Sequence, residues 1–323
     1  MIFYHIFKNT LKECLRQPIY FILLITALFL IGLFPSLSIF AFNEQLKMVV
    51  DSSMAIILFL GLINAVLLSS YIVYRDTVNG SLLLIFSKPV PRSSYILGKM
   101  TGILFALTIF VLICSFATLI SLNVSVNQVN FNFKYFYIYF IILFVGSGLG
   151  CLRNFLSRHS FSSTAVISIL VLLCIQFFYM HFFSVIGTFK SFRNYELNVI
   201  FALILIFFAI WIFGAIAVLG ATRLDILSNL IICFAVFMLG LVSDYFFLGP
   251  AGSNYLFKII YAVVPNWQFF WMADAMANNR IIPVDYIVWT FSYTVVYIFL
   301  CSCFSIFLFA KTEAAGSSNK NNN

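Results

Sequence analysis

Charge is what this sequence lacks: only 9% of its 323 residues are Asp, Glu, Lys or Arg, where a soluble globular domain carries roughly 25%. Apolar residues make up 63% and the mean hydropathy is +1.08. That composition leaves too little polar surface to face water, and it excludes a soluble domain. Histidine is as scarce: His5, His159 and His181 are scattered without ligand spacing, so neither a metal site nor a catalytic centre can be assembled from them. Cys114, Cys151, Cys174, Cys233, Cys301 and Cys303 fall inside apolar runs, where a thiol behaves as a small hydrophobe rather than half of a disulfide. No set of Asp, His and Arg residues recurs at one bilayer depth, as an integral membrane enzyme or an ion-coupled carrier would need. The phosphate-cradling pattern G-x-x-x-x-G-K-[ST] is absent too. Gly98-Lys99 is followed by Met100, and Ser93 stands where the first glycine belongs. No basic run interleaved with aromatic residues is present, so no nucleic-acid partner is expected.

What the sequence has instead is long apolar runs. A helix needs about 20 apolar residues to cross a bilayer, and eight runs approach or exceed that. They are Ile19 to Phe42, Ser52 to Val73, Gly98 to Leu122, Tyr135 to Leu152, Ser162 to Ile186, Val199 to Gly220, Ile226 to Leu248 and Asp285 to Ala310. The fold class is therefore an all-α polytopic membrane protein with about eight transmembrane helices. With the N-terminus inside, the inner segments carry twelve of the 18 Lys and Arg residues against four acids, and the outer segments six against six. The whole formal charge of +8 then falls on one face, which the positive-inside rule places in the cytosol together with both termini.

Residues 1–17 precede the first run and repeat apolar positions at three- and four-residue steps: Ile2, Phe3, Ile6, Phe7, Leu11, Cys14 and Leu15. This pattern predicts an amphipathic helix on the inner leaflet, ended by Pro18. The first run is too long for a cleaved signal and is expected to stay as a span. Residues 18–310 form the membrane domain, and residues 311–323, polar and aperiodic, are expected to be a disordered cytoplasmic tail. Gly146 with Gly150, and Gly98 with Gly102, provide two close-packing faces, either within one chain or between two copies.

The inner loop of residues 74–99 reads YRDTVNGSLLLIFSKPVPRSSYILGK. Asn79-Gly80 breaks the chain, Ser81 to Ser87 can form a short helix along the membrane, Pro89 and Pro91 end it, and Ser93 and Ser94 can cap the next span. Within it, Arg75-Asp76, Asn79-Gly80-Ser81, Ser87-Lys88-Pro89-Val90 and Leu97-Gly98-Lys99 resemble the pattern of ABC-2 type transporter permeases: an arginine-acid pair, a glycine-threonine step, an "SKP" turn and an "LGK" helix entry. Ser81 replaces the usual threonine, and Val78 stands where many members carry a second acid. Thr222-Arg223-Leu224 resembles the short inner turn before the family's last pair of helices. The outer segment of residues 249–284, with VVPNWQFFWMADAM inside it, is similar to the family's re-entrant outer segment, here marked by Pro265, Asn266, Trp267 and Asp274. Tyr255 to Val264 spans only about 15 Å as a helix and can dip in and turn back at Pro265.

The resemblance implies a six-helix core plus an extra pair, the fourth and fifth runs. It also implies a coupling helix gripped by a cytosolic ABC ATPase through Arg75, Asp76, Gly80, Ser81, Lys88, Pro89, Arg92, Gly98 and Lys99. The chain would then be no enzyme itself: ATP and Mg²⁺ would be bound by the partner ATPase. A homodimer, or a heterodimer with a second permease, would form an export pathway in the plasma membrane, the inner membrane of a bacterium. A polytopic enzyme acting on lipid-linked substrates and a structural membrane scaffold are the competing readings.

Overall fold

The computed structural model describes residues 2–38, 45–78, 91–125, 133–183, 190–248, 264–272 and 281–318, and the described chain is helical almost throughout. In order it forms α1 (Ile2–Arg16), α2 (Pro18–Leu37), α3 (Gln45–Ser69), a π turn (Ser70–Tyr74) and α4 (Arg75–Val78). It continues with α5 (Arg92–Ser125), α6 (Phe133–Ser157), α7 (Phe161–Phe183), α8 (Lys190–Ala221) and α9 (Ile226–Leu241). A second π turn (Asp244–Leu248), a 3-10 turn (Trp267–Phe270) and α10 (Val284–Ser318) complete it. Among the described residues, seven helices are long and apolar enough to cross a membrane: α2, α3 with its π turn, α5, α6, α7, α8 and α10. The chain is thus a multi-pass helical membrane protein.

Helix boundaries follow local chemistry. Pro18 opens α2, where its missing N–H and fixed φ cost nothing. The start of α5 differs from expectation: the helix begins at Arg92, with the Tyr95 amide donating to the Pro91 carbonyl at 3.2 Å, so Ser93 and Ser94 lie inside the first turn rather than capping it. The run expected from Ile226 to Leu248 is not one regular helix. Helix α9 has 16 residues, the backbone bends at Val242, and Asp244–Leu248 is wound as a π turn. At the other end, α10 continues to Ser318, eight residues past the expected span end, because Lys311 to Ala315 offers no helix breaker. Residues 319–323 of the expected tail lie outside the described residues.

Two thirds of the apolar stretches of α3, α5 and α8 are buried, against about a fifth for α6 and α10 (67% and 22%), so the first three form the centre of the bundle. Tyrosine hydroxyls reach between helices to backbone carbonyls: Tyr20 to Ala106 at 3.0 Å and Tyr139 to Leu28 at 2.7 Å. Both rings are buried, where an unmade hydrogen bond would be expensive. Helices α6 and α7 pack closely on each other. A Cβ at Gly146 would stand 2.6 Å from Ile169 Cγ1, and one at Gly150 2.8 Å from Ala165 Cβ, so both glycines serve packing within one chain. Gly148 has open space instead.

The bundle has two distinguishable ends. Helix α1, the π turn after α3, the start of α5, the end of α8 and the Leu308 region of α10 meet at one of them. Glu13 reaches Lys99, Asn229 reaches Ser70, and Arg223 Nη2 donates to the Leu308 carbonyl at 2.8 Å. Helix α1 and the far part of α10 therefore lie at the same end of the bundle, here termed the basic end.

Candidate functional site

The basic end holds a buried ionic knot. Tyr95 and Lys99 stand four residues apart on α5 and so share one face. Both are buried, Tyr95 to 1% and Lys99 to 7% exposure. A buried ammonium needs a carboxylate and hydrogen bonds, or it costs several kcal/mol. Lys99 has two: its Nζ lies 2.8 Å from Asp76 Oδ2 and 3.4 Å from Glu13 Oε2. The Tyr95 hydroxyl donates to the same Asp76 oxygen at 2.7 Å, and the Tyr95 ring stacks on Phe309 at 5.6 Å and 26°. Four elements converge: α1 through Glu13, α4 through Asp76, α5 through Lys99 and Tyr95, and α10 through Phe309.

Asp76 lies in α4, which closes the helical run begun by α3, and α5 starts 16 residues after Asp76, so the knot joins the two feet of the loop of residues 74–99. Of the residues expected to couple, Asp76 and Lys99 are brought together. Arg75 turns aside: it lies over the Tyr71 ring at 4.8 Å and donates to the Tyr71 hydroxyl. Arg92 is exposed in the first turn of α5. Gly98 serves packing, since a Cβ there would stand 2.8 Å from Ile6 Cγ2. Gly102 does the same one turn on, 2.7 Å from Thr10 Cβ. Gly80, Ser81, Lys88 and Pro89 lie outside the described residues.

The glycine seam gives α1 an unexpected role. Its apolar face packs on α5, with Phe7 edge-on to Phe105 at 5.7 Å and Cys14 fully buried. Burial, with a smaller contribution from neighbouring Glu13, pushes the Cys14 thiol well above its ordinary range, so little reactive thiolate forms at neutral pH. Gly102→Val should prise α1 from α5 and expose that thiol. In a protein whose other cysteines are replaced, maleimide labelling of Cys14 is expected to rise by about tenfold or more; an unchanged rate would show that α1 stays seated.

A second polar node lies one layer deeper. Asn229 of α9, fully buried, donates to Ser70 Oγ at 2.9 Å and to the Ala217 carbonyl at 3.0 Å. Gly220 passes so close to the Asn229 amide that a Cβ would collide with it. The node ties the π turn of α3 to α8 and α9, and π turns often mark functional positions. Sequence reasoning passed over Asn229; its only signal was a carboxamide inside an apolar run.

The described part of the segment of residues 249–284 is also built inward. Asn266 Nδ2 donates to Asp244 Oδ1 at 2.6 Å, and Asn266 Oδ1 accepts from the Gln268 amide at 2.9 Å. Trp267, 3% exposed, packs against Phe213 at 5.4 Å and Phe237 at 6.0 Å between ring centres. Phe213 precedes the basic end of α8 by eight residues, about 12 Å, and Phe237 stands eleven residues up α9, about 17 Å. Pro265, Asn266 and Trp267 therefore sit well within the helical bundle rather than on its rim. Asp274 and Tyr255 to Val263 fall outside the described residues.

Among the described residues no group of three His, Cys, Asp or Glu side chains is arranged to hold a metal ion. Comparison of the chain with protein-family models, with curated proteins and with solved structures gives no match in any of the three.

Proposed function

We propose that the chain is the membrane-spanning subunit of an ABC-2 type exporter, driven by a separately encoded ATPase. The observation that carries this reading is the Asp76–Lys99–Tyr95 knot, which fastens both feet of the inner loop to α1, α5 and α10. A loop held this way passes any pull to the helices beneath it. The chain has no phosphate-binding sequence of its own, so the pull must come from another polypeptide.

In this account Asp76 is a latch inside the permease. The partner's contacts fall instead on the exposed Arg92 and on Gly80, Ser81, Lys88 and Pro89. Closure of the paired ATPases moves the loop, and the knot carries the motion into α3 and α5, the central helices. The deep outer segment at Asn266 and Trp267 marks the exit side. In this reading the chain passes the membrane eight times, which is supported by α8 and α10 both running toward the basic end and by α9 with its π turn starting back from it. Six of these passes form the core, and α6 and α7 are the added pair, seated beside α2 and α5. Two copies, or one copy and a related permease, form the pathway in the plasma membrane, with both termini in the cytosol.

Affinity purification tests this directly. The chain alone should hydrolyse no ATP, and the complex purified from its native membrane should contain a P-loop ATPase whose activity is retained with it. ATP hydrolysis by the isolated chain, or a native complex without any P-loop protein, would overturn the proposal.

A further inference from the structure

At the end of the bundle opposite the ionic knot, four aromatic rings close on one recess of about 200 Å³, lined by Phe269, Tyr286, Trp289, Thr290 and Tyr293. We propose that this recess binds an organic cation of the quaternary ammonium class. Tyr286, Trp289 and Tyr293 follow each other at three and four residues, so they line one face of the first turns of α10. Phe269 closes the recess from the 3-10 turn, edge-on to Tyr293 at 6.3 Å and 84°. The wall is pinned: the Tyr286 hydroxyl donates to the Phe269 carbonyl at 2.7 Å.

The lining selects for charge. Ring faces carry negative potential and attract a diffuse cation that needs no directed hydrogen bond. The Thr290 hydroxyl, the one aliphatic polar group among the described lining residues, already donates to the Tyr286 carbonyl at 2.7 Å and offers no proton to an anion. Among the described residues, no Lys or Arg lines the recess. The positive end of the α10 dipole would oppose a cation, and Asp285, exposed in the first turn, offsets it. Aromatic residues of a membrane belt face the interface one by one; here two elements turn their rings onto a shared space. This reading is independent of the proposed export function.

The test uses the full chain in nanodiscs of phosphatidylglycerol. Calorimetry compares choline with its uncharged isostere 3,3-dimethyl-1-butanol, and a second preparation adds phosphatidylcholine to ask which lipid the protein retains. Trp289 is 76% exposed, so Trp289→Leu removes a ring without disturbing the core; an unchanged melting temperature checks this. Saturable choline binding, weakened about tenfold in Trp289→Leu and absent for the isostere, supports a soluble cation. Selective retention of phosphatidylcholine over phosphatidylglycerol, lost in Trp289→Leu, supports a lipid headgroup as the source of the same chemistry. Equal behaviour of choline and isostere with no lipid preference, or a preference untouched by Trp289→Leu, overturns the proposal.

Discussion

Replacing Lys99 by methionine should destabilise the folded protein by about 3 kcal/mol, the lower part of the range for removing one member of a buried ion pair. Methionine fills the space of the lysine stem, so the loss is electrostatic rather than steric. Asp76 keeps the Tyr95 hydrogen bond but loses its ammonium. Its side chain is 20% exposed, and water can reach part of the carboxylate, which holds the loss below the upper limit. Asp76→Asn should cost less by itself, since the amide oxygen still accepts from Tyr95. The double variant should recover part of the loss, because the Asp76–Lys99 pair is then removed from both sides. Thermal unfolding of the four proteins in one detergent measures the coupling. Additive losses would mean that the knot contributes nothing beyond packing. If the loop works the central helices through this knot, Lys99→Met should also abolish transport while ATPase association persists.

A loss of similar size is expected deeper in the bundle. Trp267→Ala should cost about 3–4 kcal/mol, as expected for truncating a large buried aromatic. Its ring fills the space between Phe213, Phe237 and Phe270, and Gly240 leaves no room for anything else beside it. The Trp267 Nε1 proton has no hydrogen-bond partner among the described residues. Trp267→Phe should therefore be nearly neutral, within about 1 kcal/mol, since it removes an unpaired buried donor and keeps most of the ring. The contrast separates shape from polarity. A severe loss in Trp267→Phe would mean that the indole N–H is engaged in the working protein.

Much of the architecture could be read from the apolar runs because a bilayer demands them: α2, α3, α5, α6, α7, α8 and α10 all lie where long runs predicted a span. The two glycine pairs were likewise visible, and what the sequence left open, whether they pack within or between chains, is decided by Ile6, Thr10, Ala165 and Ile169. Helix α1 shows the limit. Its periodicity reveals an apolar face but not the medium that face meets: Cys14 and Leu15 are buried and Ile6 and Phe7 pack on α5, while Ile2 and Phe3 stay exposed. The ionic knot was half legible. Arg75-Asp76 and Leu97-Gly98-Lys99 stood out, yet nothing in a loop pattern says that Asp76 and Lys99 touch each other rather than a partner. Asn229 and Ser70, 159 residues apart, leave no joint trace in a single sequence. The broken helix at Val242 was hidden because hydropathy records transfer to lipid and is silent about helical winding.

The most direct test of the central claim places a photo-crosslinking amino acid at Lys88, in the loop of residues 74–99, and irradiates intact cells. The account predicts one adduct whose mass is that of this chain plus a P-loop ATPase, with peptides of that ATPase identified in it. Crosslinks to lipid alone, or to proteins outside the cell, would contradict it.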